Sequence, residues 1–366
     1  METENNSEVG ELYPISLEET CVIGSILYKD YQTDGTEGNI RGHRAIDSLV
    51  KAVDKGCKAS IIISQETDKK FISDLKGKLS NLGDKSENVV WHMQSKTGYS
   101  EARREAIELA KAKYPETRAF IMQEIEKDLT SNYDSFVNKL SDNKILVMMN
   151  RGVNIPYNEN PWQDTKHLGA NLPREQFWGE RHQNIEMANQ ESAAGLTKEP
   201  HFWDRLNGTR IIRNERVKIG DVEINPTDLM LLKYKYSDGY SEEDRKNKID
   251  TYSASVYNLV PILESLGGED KIAEVPVEYI HSEGQRQLEE GNSEFKEKRL
   301  GHKVDLPAIN FDIVANIKEW KKEGRWPQVL LDALKTDKTL EIKHFDKNEY
   351  SLTGVNNPTF GRGAEN

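Results

Sequence analysis

The chain has 366 residues, 31% of them charged and 36% hydrophobic, with a formal net charge of −12. That length suits one large domain or a domain with a sizeable extension. The acidity argues against a generic binder of nucleic acid or anionic membrane, since both reward a basic face, while a local basic pocket for a phosphate stays compatible with it. The two cysteines, Cys21 and Cys57, make neither a disulfide framework nor a zinc motif. Each flanks an apolar run, where cysteine behaves as a small buried hydrophobe. The opening METENNSEVG lacks the basic and apolar parts of a signal peptide. No apolar stretch approaches the ~20 residues that span a bilayer. The expectation is a soluble, cytoplasmic protein with residues 1–19 disordered.

The first half alternates strand and helix patterns. CVIGSILYK (21–29) reads as a buried strand. GHRAIDSLVKAVDKG (42–56) places Ala45, Leu49, Val50 and Val53 at helical spacing, with Gly56 as a stop. KASIIISQ (58–65) is a second strand, FISDLKGKLSNLG (71–83) a helix closed by Gly83, and NVVWHMQ (88–94) a third strand. A helix follows over 100–114 with Ser100 as its N-cap. Then come a strand over 118–126, a helix over 132–142 and a strand over 144–151. Strands alternating with helices of this length predict βαβ units and a mostly parallel sheet with helices on both faces. Ligands of such sheets bind beyond the carboxyl ends of the strands, which directs attention to 28–30, 65–68, 94–98 and 123–128.

Beyond 151 the chain turns polar, with prolines and aromatics, up to a helix from about Glu175. Further patterns are a strand in GTRIIRN, a helix over 251–266, a strand over 273–281 and a charged tail from 300 with one helix, INFDIVANIKEWKKEG. The final NNPTFGRGAEN is expected to be disordered. No internal repeat is present. Neither are the G-x-S-x-G, P-loop and G-x-G-x-x-G motifs, which argues against a serine hydrolase, a P-loop kinase and a Rossmann dehydrogenase.

The stretch IMQEIEKDL (121–129) runs from an apolar strand into Glu124, Glu126 and Asp128. Alternate residues of a strand share a side, so Glu124 and Glu126 can converge on one hard divalent cation, Mg²⁺ or Mn²⁺. The plain alternative is a solvated acidic strand end. In SKTGYSEARREA (95–106) a glycine turn enters a helix, offering N–H groups and a positive dipole to an anion, with Lys96, Arg103 and Arg104 nearby. An ordinary solvated helix face is the alternative. His281 ends an apolar strand, where it is either a neutral metal ligand or a structural hydrogen-bonding residue. His182 and Glu186, four apart on one helix, form a weaker metal pair.

Taken in order, these residues resemble the GT-A nucleotide-sugar glycosyltransferases, especially retaining enzymes of the mannosylglycerate synthase and glucosyl-3-phosphoglycerate synthase kind. The likeness is one of pattern and covers about residues 20–285. It implies a GT-A-like α/β fold with helices on both faces of the sheet. Residues 20–150 would form the nucleotide-sugar-binding half and 151–299 the acceptor-binding half, with a mostly helical extension over 300–366. Where the family has D-x-D after its fourth strand, this chain has Glu124-Ile125-Glu126, a methylene longer on each side chain. Lys127 beside them would supply charge to a diphosphate in place of some of the metal's. The resemblance assigns Gly208, Thr209 and Arg210 to the loop around donor sugar and acceptor, Asp250 to the acceptor and His281 to a further metal contact. Lys96, Arg103 and Arg104 fall near the nucleotide.

The implied reaction moves a sugar from a nucleoside diphosphate sugar to a small-molecule or glycan acceptor. Glu66 or Asp68 would meet the base or ribose. A retaining enzyme needs no separate strong base, whereas an inverting one would use Asp250 or Asp204. Two other readings stay open. One is a sugar-phosphate nucleotidyltransferase, which carries a Gly- and Arg-containing loop after strand one, here with Gly35, Gly38, Arg41 and Arg44. The other is a non-catalytic nucleotide-sugar-binding protein that has lost its metal site.

Overall fold

The computed structural model describes residues 12–151, 174–205, 208–237, 259–277, 293–347 and 350–352, with the backbone alone for 174–179 and 293–305. Seven strands make one sheet: β1 (Thr20–Ile26), β2 (Lys58–Ile63), β3 (Val89–Met93), β4 (Ala119–Met122), β5 (Leu146–Asn150), β6 (Arg210–Arg213) and β10 (Ile272–Pro276), in the order β10-β5-β6-β4-β1-β2-β3. All run parallel except β6, which lies antiparallel between β4 and β5. The fold is α/β with a mixed, mostly parallel sheet, as the alternation of patterns predicts.

The strands are continuous apolar runs because both of their faces are covered. Along β1, Cys21 and Ile23 join one core, while Val22 and Ile26 join the other. The second core takes α1 (Glu37–Asp54), α2 (Lys69–Ser80) and α4 (Tyr133–Ser141), through residues such as Leu49, Phe71 and Phe136. The first takes α3 (Tyr99–Lys113) through Ala102, Ala106 and Ile107, together with much of the chain beyond 212. Both cysteines are buried and unbridged. Gly56 and Gly83 follow α1 and α2 with φ of 98° and 57°, the left-handed conformation that glycine adopts without strain. Helix α3 begins one residue earlier than expected, and its N-cap is Gly98, at φ 115°, rather than Ser100.

Residues 12–19, expected to be disordered, lie against the sheet's amino edge. Ile15 is buried, its N–H donates to Ser141 Oγ at 3.0 Å, and Arg118 donates to the Pro14 carbonyl at 2.9 Å. The second half adds α5 (Arg174–Ala193), a hairpin of β7 (Val217–Ile219) and β8 (Val222–Ile224), α6 (Pro226–Leu229), β9 (Lys233–Tyr236) and α7 (Leu259–Ser265). The C-terminal part contains α8 (Ser293–Lys322), α9 (Gln328–Lys335) and β11 (Thr339–Ile342). Strand β11 returns to pair with β9, and Ile313, Val314 and Leu330 join the same core as β1, so the helical extension is packed into the body. Among the described residues no helix is long and apolar enough to cross a membrane.

Parallel strands put all their carboxyl ends at one edge. Strand β6, being antiparallel, delivers its amino end there too, with Arg210 opposite Met122 of β4 and Met148 of β5. The loop before β6 therefore arrives beside the end of β4.

Candidate functional site

Strand β4 stops at Met122, and 123–127 leave it as a turn in which the Lys127 N–H donates to the Glu124 carbonyl at 2.9 Å. The strand was expected to run to Glu126. Because it does not, strand alternation does not govern Glu124 and Glu126. Asp128 accepts from Thr130 Oγ1 at 2.6 Å and holds the turn's exit, with Lys51 at 2.5 Å.

Glu126 is buried at 4% exposure, with both oxygens engaged. Oε2 accepts from the Tyr28 hydroxyl at 3.2 Å, just past the end of β1. Oε1 accepts from Arg41 Nε at 3.1 Å and from Nη2 of the same guanidinium. Arg41, in the second turn of α1, also donates to Glu37 at 2.7 Å and lies over the Tyr28 ring, 5.9 Å from its centroid. Charge-assisted contacts of this kind are about twice as strong as neutral ones. Burial works against the Arg41 charge, but Glu126, Tyr28 and Glu37 together more than offset it and hold the guanidinium's pKa well above its usual value. Burial, then the Glu126 charge, pushes the Tyr28 hydroxyl up.

Glu124 is half-buried and pairs with Lys127 Nζ at 2.8 Å. Burial would raise its pKa, but Lys127 first, then Arg41 and Arg103, hold the carboxyl at about 2. Arg103, from the second turn of α3, is buried. It donates to the Tyr99 hydroxyl at 2.8 Å, its guanidinium 4.3 Å from that ring's centroid. Gly208 closes the cluster: a Cβ there would stand 3.3 Å from both Arg103 Nη2 and Glu124 Oε1. The bare backbone lets the loop before β6 approach these charges.

Of the expected residues, the structure thus gathers Glu124, Glu126, Lys127, Arg103 and Gly208, and adds Tyr28 and Arg41. Tyr28 is visible in the sequence only as a residue that follows a strand. Arg41 is legible there only as part of the nucleotidyltransferase's loop. It lies 85 positions before Glu126, and no local pattern links the two.

The other expected residues that the structure describes have contacts of their own. Arg104, buried, pairs with Glu101 at 2.7 Å and donates to the Leu232 carbonyl at 3.3 Å. Lys96 is largely exposed, 4.0 Å from Glu101. Glu66, also exposed, pairs with Lys29. Thr209 is fully buried, its carbonyl accepting from the Met149 N–H at 3.3 Å. Arg210, 1% exposed, donates to the Arg205 carbonyl at 3.2 Å and so ties down the loop rather than facing solvent. Asp204, fully buried, is clasped by Arg151 at 2.8 and 2.9 Å, which removes it as a base for an acceptor. Glu186 pairs with Lys347 at 2.9 Å. Asp250 and His281 lie outside the described residues.

A cation implied by the resemblance would need these carboxylates. Glu126 gives its oxygens to Arg41 and Tyr28, and Glu124 pairs with Lys127. Among the described residues no group of three or more His, Cys, Asp or Glu is gathered around one point. The described carboxylates are thus already engaged by Arg41, Tyr28 and Lys127 and fit a divalent metal poorly.

No family model matches the chain, and no curated protein matches it.

Proposed function

We propose that this chain is a glycosyltransferase that moves a sugar from a nucleoside diphosphate sugar to an acceptor hydroxyl. The observation that carries this reading is the convergence of Arg41, Arg103, Lys127 and the bare Gly208 at the carboxyl edge of β1 and β4. Sheets of this kind bind their ligands at that edge. The sequence resemblance places the diphosphate at the same turn after the fourth strand.

In the proposed reaction the bond between the sugar's anomeric carbon and the diphosphate oxygen breaks, and its electron pair leaves with the diphosphate. The acceptor oxygen forms the new bond, and its proton passes to an oxygen of the departing diphosphate. Charge builds on the departing diphosphate, and cations already fixed in a half-dry site stabilise it without having to reorganise. Arg103 and Lys127 fill that role. Arg41 supports it from behind Glu126, and Tyr28 keeps Glu126 in place. Arg210 holds the loop that carries Gly208. Asp250 positions the acceptor in this reading.

The test is release of nucleoside diphosphate from a panel of nucleoside diphosphate sugars, with and without sugar, glycerate and glycan acceptors. One donor should yield its nucleoside diphosphate, and Lys127→Gln should slow that release. No release from any donor removes the reading. Arg41, which comes from the stretch after β1 and reaches the cluster, favours one second reading, a sugar-phosphate nucleotidyltransferase. Pyrophosphate released from a nucleoside triphosphate and a sugar phosphate would identify it.

A further inference from the structure

We infer that Glu105 is the resident anion of the turn between β3 and α3, a positioning residue that takes the turn's leading N–H groups from within the protein and so closes them to a ligand's phosphate. This role does not depend on which reaction the chain performs.

Three observations support it. The first is what already occupies the turn's donors. Residues 94–98 join the carboxyl end of β3 to the start of α3, at the edge where sheets of this kind bind ligands. Successive backbone N–H groups in a turn form a concavity that suits an anion. Here the Ser95 and Lys96 N–H groups donate to Glu105 at 3.0 and 2.9 Å, one to each carboxylate oxygen. The Ser95 hydroxyl donates to Oε1 at 2.7 Å, and His92 Nε2 stands 3.4 Å from Oε2. Each oxygen therefore has two partners.

The second is burial. Glu105, in the second turn of α3, is 7% exposed, and a carboxylate so placed needs hydrogen bonds to stay charged. Burial raises its pKa, but the Ser95 N–H and hydroxyl, then the Lys96 N–H and His92, outweigh that and hold the carboxyl below its usual value. The turn keeps the carboxylate ionised, and the carboxylate keeps the turn's N–H groups satisfied.

The third is the bracing of the turn's other side. The Gln94 side-chain amide donates to the carbonyls of Lys96 and of Gly98, the latter at 2.8 Å, and Gln65 donates to the Gln94 carbonyl at 3.1 Å. Gly98 then caps α3, and Tyr99, its first residue, accepts from Arg103. Glu105 fixes the N–H side of the turn and Gln94 its carbonyl side, and both reach the candidate site through Tyr99 and Arg103.

The experiment is amide hydrogen exchange of the full chain, read for residues 94–98 and, as a control, for β1. Glu105→Gln keeps the side chain's shape and removes its charge. It should lower protection over 94–98 by about tenfold or more, the loss expected for hydrogen bonds to a charged group, while β1 keeps its protection and so shows that the variant folds. Glu105→Ala should lose as much, and formate or acetate, compared with chloride at equal ionic strength, should return about threefold or more of it. The parent chain should show no change over 94–98 with formate, acetate or inorganic phosphate. Protection in Glu105→Gln within about twofold of the parent would mean that the charge does not hold the turn, and would overturn the inference. Loss in Glu105→Ala that neither anion restores would do the same, by reducing Glu105 to packing. Phosphate that protects 94–98 in the parent would also overturn it, by showing the turn open to a ligand.

Discussion

Glu126 and Arg41 sit 85 residues apart in the chain and meet at the carboxyl edge of the sheet, with Tyr28 donating to the carboxylate's other oxygen at 3.2 Å. Their meeting depends on β1 and β4 being neighbours. That adjacency places the turn after β4 beside the residue after β1, and the helix that follows β1 folds back over both. The pair links the fold to the candidate site, since Arg41 is held where it adds to the field around Glu124.

The pair should behave as a unit in stability measurements. Arg41→Met leaves a buried carboxylate alone and should cost about 3 kcal/mol. Adding Glu126→Gln should recover a good part of that loss. Urea unfolding of the two single variants and the double variant measures the coupling. Strict additivity would mean that the two side chains do not interact in solution.

Gly24, in the middle of β1, faces Ile125 of the β4 turn, and a Cβ there would fall 2.3 Å from the Ile125 side chain. Gly24→Ala should therefore destabilise by about 1–3 kcal/mol, as overpacked cores do. It should also disturb the turn that carries Glu124 and Glu126. Gly24→Ala with Ile125→Ala should be less destabilised than the two separate losses summed. Nucleotide binding and urea midpoints report the two effects separately.

Gly208→Ala tests the bare loop. The atoms a new Cβ would meet are ends of flexible side chains, at 3.3 Å, so stability should change by less than about 1 kcal/mol. Diphosphate affinity should nonetheless fall, because the methyl occupies the approach to Arg103. A variant with unchanged affinity would place the ligand elsewhere.

Stability should depend on pH through a second buried group, Glu264 of α7. Burial, then the charge of Glu191, pushes Glu264 up to about 8. Arg205, paired with Glu191, His201 at 3.6 Å and Trp203 Nε1, which donates at 3.0 Å, also face it. With a raised folded pKa, the folded chain holds a proton that the unfolded chain has released. This contribution is complete below the unfolded value, near 4.5, and is lost as pH rises through about 8. Glu264→Gln keeps an acceptor for Trp203 and should flatten the decline between pH 5 and 9. Glu124 has the opposite sign: its folded pKa, about 2, is depressed, so its contribution is complete above about 4.5 and is lost as pH falls toward 2. Urea unfolding across pH, with Glu264→Gln and Glu124→Gln, resolves the two windows.

Arg205 and Glu191 are both essentially unexposed. Arg205→Met alone should cost about 3–5 kcal/mol by leaving Glu191 charged and alone, whereas Arg205→Met with Glu191→Leu should return close to the parent stability. Calorimetric melting of both variants checks this.

The parallel strands are legible in the sequence because each is an apolar run bounded by a helix pattern, and the glycines at 56 and 83 mark the helix ends by their φ. Short strands escape such reading. β7 and β8 have three residues each and turn at Gly220, where a Cβ would meet the Leu266 carbonyl at 2.4 Å. Three residues carry too little periodicity to show as strands. The apolar run before Glu124 marks the acidic turn, but it gives no sign that β4 ends at Met122. That end is set where pairing with β1 and β6 stops.

By itself the sequence determined the longer alternating strands and helices of the first half, the burial of both cysteines and the presence of charged residues at strand ends, because hydrophobic period and turn chemistry act over a few residues. Only the tertiary structure decided which of those charges meet. Strand order brings Tyr28, Arg41, Arg103, Glu124, Glu126 and Gly208 to one edge, and the antiparallel β6 brings in the last of them. That order is a property of how the whole sheet closes its core, and no short stretch of the chain contains it.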